Sequence, residues 1–99
     1  MGPDGHTASL FPGTKALGIE DRLVAPNFVD RLNAWRVTFT FPLINAGGTV
    51  AFLVTGQDKA ERVSEIVEGA DYPAGRVDPE SGNLVWLLDS AAAARLPTQ

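Results

Sequence analysis

The chain has 99 residues, 44% of them apolar and 20% charged, with a formal net charge of −4 at pH 7. That length and balance suit one small globular domain, and a net acidic chain lacks the basic face that a nucleic acid needs. With no cysteine and a single histidine, the chain has no disulfide, no thiolate metal site and too few imidazoles for an ordinary zinc centre.

The first dozen residues hold the sole histidine, His6, with Asp4 two residues before it and Gly2, Pro3 and Gly5 around the pair. Glycine permits sharp turns and close backbone approach, and proline stiffens them. A tight loop that aims both side chains at one place is therefore expected, with a short helix opening over residues 7–10 and stopped by Pro12 and Gly13. Imidazole exchanges protons near neutral pH, and a carboxylate beside it can fix its tautomer. On the triplet alone, a solvated or structural loop histidine remains open. Met1 leads straight into Gly-Pro-Asp-Gly, with no apolar leader and no run of membrane-spanning length. A cytoplasmic protein with no membrane partner is the expectation.

Residues 14–36 are weakly patterned. Residues 23–25 read as a short extended piece, with Pro26 after them, and residues 27–35 as a linker of mixed character. Residues 37–41 alternate Val, Thr, Phe, Thr, Phe, which predicts a strand closed by Pro42, with Phe39 and Phe41 as core residues. Arg36 begins that strand and is a candidate anion-binding cation, or equally a surface arginine. Residues 43–46 allow one helical turn before Gly47 and Gly48.

Residues 49–55 read as a strand whose residues 50–54 are a continuous apolar run, the pattern of a strand covered on both faces, with a buried helix as the competing reading. Residues 57–68 carry Ala60, Val63, Ile66 and Val67 at helical spacing, begun or capped by Asp58 and stopped by Gly69. Lys59 falls in the first turn, where backbone N–H groups and an ammonium can converge on an anion; a solvated lysine is the plainer alternative. Residues 70–83 are loop, residues 84–88 a third strand centred on core Trp86, and residues 89–96 a last helix capped by Asp89 or Ser90. Strand–helix–strand alternation predicts an α/β layered fold with parallel strands.

The string Gly2-Pro-Asp-Gly-His-Thr-Ala-Ser-Leu-Phe-Pro12 resembles the signature of the 6-phosphogluconolactonases, in a superfamily shared with glucosamine-6-phosphate isomerase/deaminase. Arg36-Val-Thr-Phe-Thr-Phe-Pro-Leu-Ile-Asn-Ala46, Phe52-Leu-Val-Thr-Gly-Gln-Asp-Lys-Ala60 and Leu84-Val-Trp-Leu-Leu-Asp-Ser-Ala-Ala92 follow in the family's order. The resemblance implies a partial Rossmann-like layered α/β fold with mostly parallel strands. It casts residues 1–99 as a single partial domain, the C-terminal part of a longer family domain. It also implies hydrolysis of 6-phosphogluconolactone to 6-phosphogluconate in the oxidative pentose phosphate pathway, without metal or organic cofactor. His6 is then the general base, Asp4 supports it, and Lys59, in its Thr-Gly-x-x-Lys-Ala setting, contacts the substrate phosphate.

Two departures stand out: Trp35 where relatives commonly have proline, and Gly48 where the family's Asn-Ala-Ala-Arg string ends in arginine. The deaminase branch follows Asp-Gly-His with Asn-Glu-Pro, and its ring-opening glutamate falls where this chain has Phe11, which disfavours amino-sugar chemistry. The alternative from a different class is a non-catalytic fragment or assembly module that self-associates through an exposed sheet edge.

Overall fold

The computed structural model describes residues 1–97. Strand β1 (Val24–Val29) buries Ala25, Asn27 and Val29 and exposes the residues between them. A 3₁₀ turn, Asp30–Leu32, follows, and Asn33 takes the left-handed conformation at φ 48°. Asparagine tolerates that region better than most residues. The chain thereby reverses into β2 (Ala34–Phe39), which pairs antiparallel with β1 from Val24 opposite Phe39 to Val29 opposite Ala34.

This hairpin corrects the expectation of a mostly parallel, Rossmann-like arrangement. The described residues form two two-stranded sheets, one antiparallel and one parallel. A reversal this short can join only antiparallel neighbours, because a parallel pair needs a crossover of a dozen residues or more. Pro26, which followed the extended piece expected over residues 23–25, lies within β1. That strand is an edge of its sheet, where proline is tolerated.

The burial of β2 is also the inverse of the expected one. Thr38 and Thr40 are buried, whereas Val37 and Phe39 are 76% and 57% exposed. Phe41 leaves the strand to begin helix α1 (Phe41–Asn45), with Pro42 in its first turn, where proline's missing N–H costs nothing. Asn45 then fixes a distant loop: its side-chain oxygen accepts the Asp78 N–H at 2.8 Å and its carbonyl accepts the Glu80 N–H at 3.1 Å.

The second sheet pairs β3 (Thr49–Val54) in parallel with β4 (Asn83–Leu88), Phe52 lying opposite Trp86. Their crossover runs through a 3₁₀ turn, Gln57–Lys59, then helix α2 (Ala60–Val67) and a second 3₁₀ turn, Pro73–Arg76. The core lies on one face of this sheet. Phe52, Val54, Val63, Ala74, Val77 and Ala92 are buried together, with Trp86 packed against them. The rings of Phe52 and Trp86 stack at 4.2 Å. Among the described residues the opposite face is open: Leu53 is 75% exposed and Leu87 51%. The apolar run of β3 is thus covered on one side here.

Helix α2 ends as its sequence predicts. Gly69 adopts φ 98°, its N–H bonds the Ile66 carbonyl and the Ala70 N–H bonds the Glu65 carbonyl, the paired pattern of a glycine C-cap. Asp58 makes no capping hydrogen bond. Residues 90–95 form turns in place of the expected helix. Asp89 still does the capping work, accepting the Ala92 N–H at 2.8 Å, but a run this short before Pro97 cannot repay helix nucleation. Residues 7–10 likewise close as a turn, with the Leu10 N–H on the Thr7 carbonyl and Ala8 at φ 51°. No helix among the described residues is long and apolar enough to cross a membrane.

Candidate active site

The loop of residues 2–6 closes on itself through two backbone hydrogen bonds, Gly5 N–H to the Gly2 carbonyl at 2.9 Å and Gly2 N–H to the His6 carbonyl at 3.0 Å. A Cβ on Gly2 would overlap the His6 ring, so glycine there lets the imidazole lie against the backbone. Both parts of the fold hold this loop. From the crossover side, the Ala74 N–H donates to the Gly5 carbonyl at 2.8 Å and Tyr72 packs beneath Gly5. From the hairpin side, the Thr38 hydroxyl accepts the Ser9 N–H at 3.0 Å. Asn27 donates to the Ser9 carbonyl and the Thr14 hydroxyl and accepts the Ala16 N–H.

Within that frame the expected pair meets. Asp4 Oδ1 lies 2.5 Å from His6 Nδ1 and also accepts the His6 backbone N–H at 3.1 Å. An ionised carboxylate only accepts, so it fixes the proton on Nδ1 and leaves Nε2 with a lone pair. The opposite oxygen, Oδ2, lies 3.0 Å from Arg31 Nη1. Burial works against ionisation of Asp4, but the hydrogen bonds from His6 and the charges of His6 and Arg31 outweigh it and hold the carboxyl below its ordinary range. The imidazole stacks on Phe11 with centroids 4.1 Å apart and planes 19° off parallel. One side of the ring is therefore shielded by an apolar group. Such a group can accept a proton from water at Nε2 while the carboxylate balances the imidazolium.

Lys59 lies at the carboxyl end of β3, where open α/β folds commonly bind ligands. Its Nζ is 3.5 Å from the Thr55 carbonyl. Burial, and after it the Lys59 charge, lower the pKa of the Met1 ammonium. The Gly56 N–H beside Lys59 is already donated to the Asp89 carboxylate at 3.2 Å and is not free for an anion. Arg36 is exposed in the middle of β2, opposite Asn27, and among the described residues no hydrogen bond or ion pair ties it to the His6–Asp4 pair.

Sequence reasoning missed Arg31, because its hairpin was read as a linker and nothing local marks its partner. It also missed Asn27, although an asparagine in phase with Ala25 and Val29 was a usable signal of a buried polar group. Trp86 is a core residue, as expected.

The family described as glucosamine-6-phosphate isomerases/6-phosphogluconolactonase matches residues 1–86. The 6-phosphogluconolactonase of a Nostoc species is 45% identical over 100 residues, covering 97% of this chain and 40% of that protein. The crystal structure of a devB protein superposes with TM-score 0.85 at 38% identity, covering 97% of this chain and 42% of the other. The 6-phosphogluconolactonase of Trypanosoma brucei superposes with TM-score 0.81 at 32% identity, covering 98% and 40%. The chain spans about two fifths of the length of the relatives it matches. With the family pattern running through the His6 loop and on to β4, the chain belongs to the glucosamine-6-phosphate isomerase/6-phosphogluconolactonase family.

Proposed function

We propose that this chain carries the catalytic half of a lactonase site that hydrolyses 6-phosphogluconolactone to 6-phosphogluconate, as the C-terminal part of the longer family domain. His6 Nε2 takes a proton from the water that attacks the ester carbonyl, the Asp4 carboxylate supports the imidazolium, and as the acyl C–O ring bond breaks the imidazolium returns the proton to the leaving ring oxygen. Lys59 holds the phosphate at the far end of the substrate, which fixes the carbonyl near His6. Arg36 is a further candidate phosphate contact. The reaction as written uses only these side chains and water. The 2.5 Å contact between His6 Nδ1 and Asp4 Oδ1 carries the reading, since it supplies a base with a defined free nitrogen.

The stacking of Phe11 on His6 favours lactone hydrolysis over amino-sugar isomerisation. An apolar ring occupies the position where the resemblance puts the deaminase glutamate, and it cannot serve as an acid or base. A second reading, a non-catalytic assembly module, is favoured by the exposed apolar strand faces of both sheets.

Acid release from 6-phosphogluconolactone, followed by titration, tests the first reading. The assay is run on the 99-residue chain and on the same chain joined to the remainder of a relative's domain. Turnover in the joined protein that falls by about 10²- to 10⁴-fold in His6→Asn is the expected result. Turnover unchanged by His6→Asn overturns the assignment, and ammonia release from glucosamine 6-phosphate moves the chain to the deaminase branch.

A further inference from the structure

We propose that Arg31 is a positioning residue for the base, clamping the Asp4 carboxylate from the hairpin tip so that Oδ1 stays on His6 Nδ1. This rests on reading His6 as the base.

The two oxygens of Asp4 have separate surroundings. Oδ1 takes both His6 donors. Oδ2 is covered and has no aligned hydrogen-bond donor, yet Arg31 Nη1 lies 3.0 Å from it. The contact is therefore chiefly one of charge, and its geometric effect is on the orientation of the carboxyl plane. A carboxylate free to turn about its Cβ–Cγ bond would spend time with neither oxygen aligned on Nδ1, which weakens the preference for the Nδ1–H tautomer.

Exposed ion pairs usually contribute little, and the Arg31 side chain is 66% exposed. Its partner is not: the Asp4 side chain is 15% exposed, so water screens the carboxylate poorly. Arg31 is also held on a defined support. Its turn is fixed by the Asn33 N–H to Asp30 carbonyl bond at 3.0 Å and by the Val29–Ala34 pairing. Asp4, Phe11, Val29, Asp30 and Arg31 together line a cavity of about 290 Å³. The hairpin tip and the His6 loop thus share one wall, and Arg31 is the charge that links them. Its removal should loosen the tautomer without removing any group that touches the reacting atoms.

The test exploits the single histidine, which needs no assignment. The 99-residue chain labelled with ¹⁵N at the histidine ring is compared with Arg31→Gln and Arg31→Lys at alkaline pH, where ring ¹⁵N shifts report the tautomer. Backbone amide spectra monitor the fold. The wild type should show one protonated and one unprotonated ring nitrogen. Arg31→Gln should bring the two shifts together as the minor tautomer rises severalfold, while Arg31→Lys stays close to wild type. A wild-type ring pattern in folded Arg31→Gln overturns the proposal. So does a ring change that comes only with collapse of the amide spectrum in both variants, which marks a purely structural role. The measurement needs no substrate. A tautomer change in the 99-residue chain beside a joined protein that hydrolyses no lactone would sink the proposed reaction and leave the Arg31 clamp standing; lactone turnover in the joined protein beside an unchanged ring pattern would do the opposite.

Discussion

Gly5 rests directly on Tyr72: a Cβ built on the glycine would lie 2.7 Å from the Tyr72 Cβ and from its ring. Gly5 also has φ 82°, a region that L side chains rarely adopt. Two independent penalties therefore meet at one residue of the His6 loop, backbone strain and overpacking.

Gly5→Ala should lower stability by about 2–4 kcal/mol, summing a left-handed backbone penalty of about 1 kcal/mol and an overpacking cost of about 1–3 kcal/mol. Urea unfolding gives the loss. Tyr72→Ala in the same background removes the ring but keeps the Cβ, itself 2.7 Å from the added methyl, so it should return only part of the overpacking cost, read as the coupling in a double-mutant cycle that includes Tyr72→Ala alone. Strictly additive losses in that cycle would show that the Tyr72 ring is not what makes the position glycine.

Asn27 is 1% exposed and makes three hydrogen bonds to the segment from Ser9 to Ala16. Asn27→Ala strands the Ser9 carbonyl and the Ala16 N–H and should cost about 2–4 kcal/mol. The nearly isosteric Asn27→Asp should be at least as damaging at neutral pH. It cannot donate to Ser9, and it buries a charge. Denaturant midpoints rank the three proteins, and an Asp variant as stable as wild type would contradict the bonding scheme.

The His6 loop was legible because its chemistry is local. Asp4 and His6 are two residues apart, and the glycines and proline around them have few structural alternatives. The helix at α2, its glycine stop and strands β3 and β4 were legible from period and breakers. The hairpin was not, because Pro26 and Asn27 look like loop chemistry until the antiparallel partner is known. The orientation of β2 was misread for a related reason. Alternation identifies two faces but not which one is inward, and here the Thr38 and Thr40 face is inward because their hydroxyls bond the Ser9 N–H and the Arg22 carbonyl. Arg31 depends on a contact 27 residues away in sequence from Asp4, which no local pattern encodes.

Asp4 also links stability to pH. Its carboxyl is held below the ordinary value in the folded chain. The folded state therefore binds this proton less readily than the unfolded state. The resulting stabilisation is present above the unfolded value of about 4 and is lost as pH falls through the folded value. Asp4→Asn should be less stable than wild type at neutral pH, and the gap should close in acid. Asp71, paired with Arg76, and Glu65, hydrogen-bonded by Tyr72 and Arg62, are lowered in the same direction. The variant should accordingly keep a reduced acid slope. Unfolding midpoints from about pH 7 down to about pH 2 read this out, and a constant gap across that range would show that Asp4 acts only through packing.

The outward face of the hairpin makes a last prediction about assembly. Trp35 is 70% exposed and Val37 76%, with Phe39, Val24 and Phe28 exposed beside them, and Phe28 meets Trp35 edge to face at 5.4 Å. A contiguous apolar surface next to an open strand edge promotes association between chains. The 10.5 kDa chain should therefore elute larger than a monomer in size-exclusion chromatography, and increasingly so with concentration. Trp35→Lys with Val37→Lys should shift it toward monomer, since both side chains face solvent and neither supports the Asn27 and Thr38 bonds that hold the His6 loop. Retention of the β circular-dichroism signal in the double variant separates lost association from lost folding. A wild-type chain that stays monomeric at every concentration would mean that the hairpin face does not drive self-association.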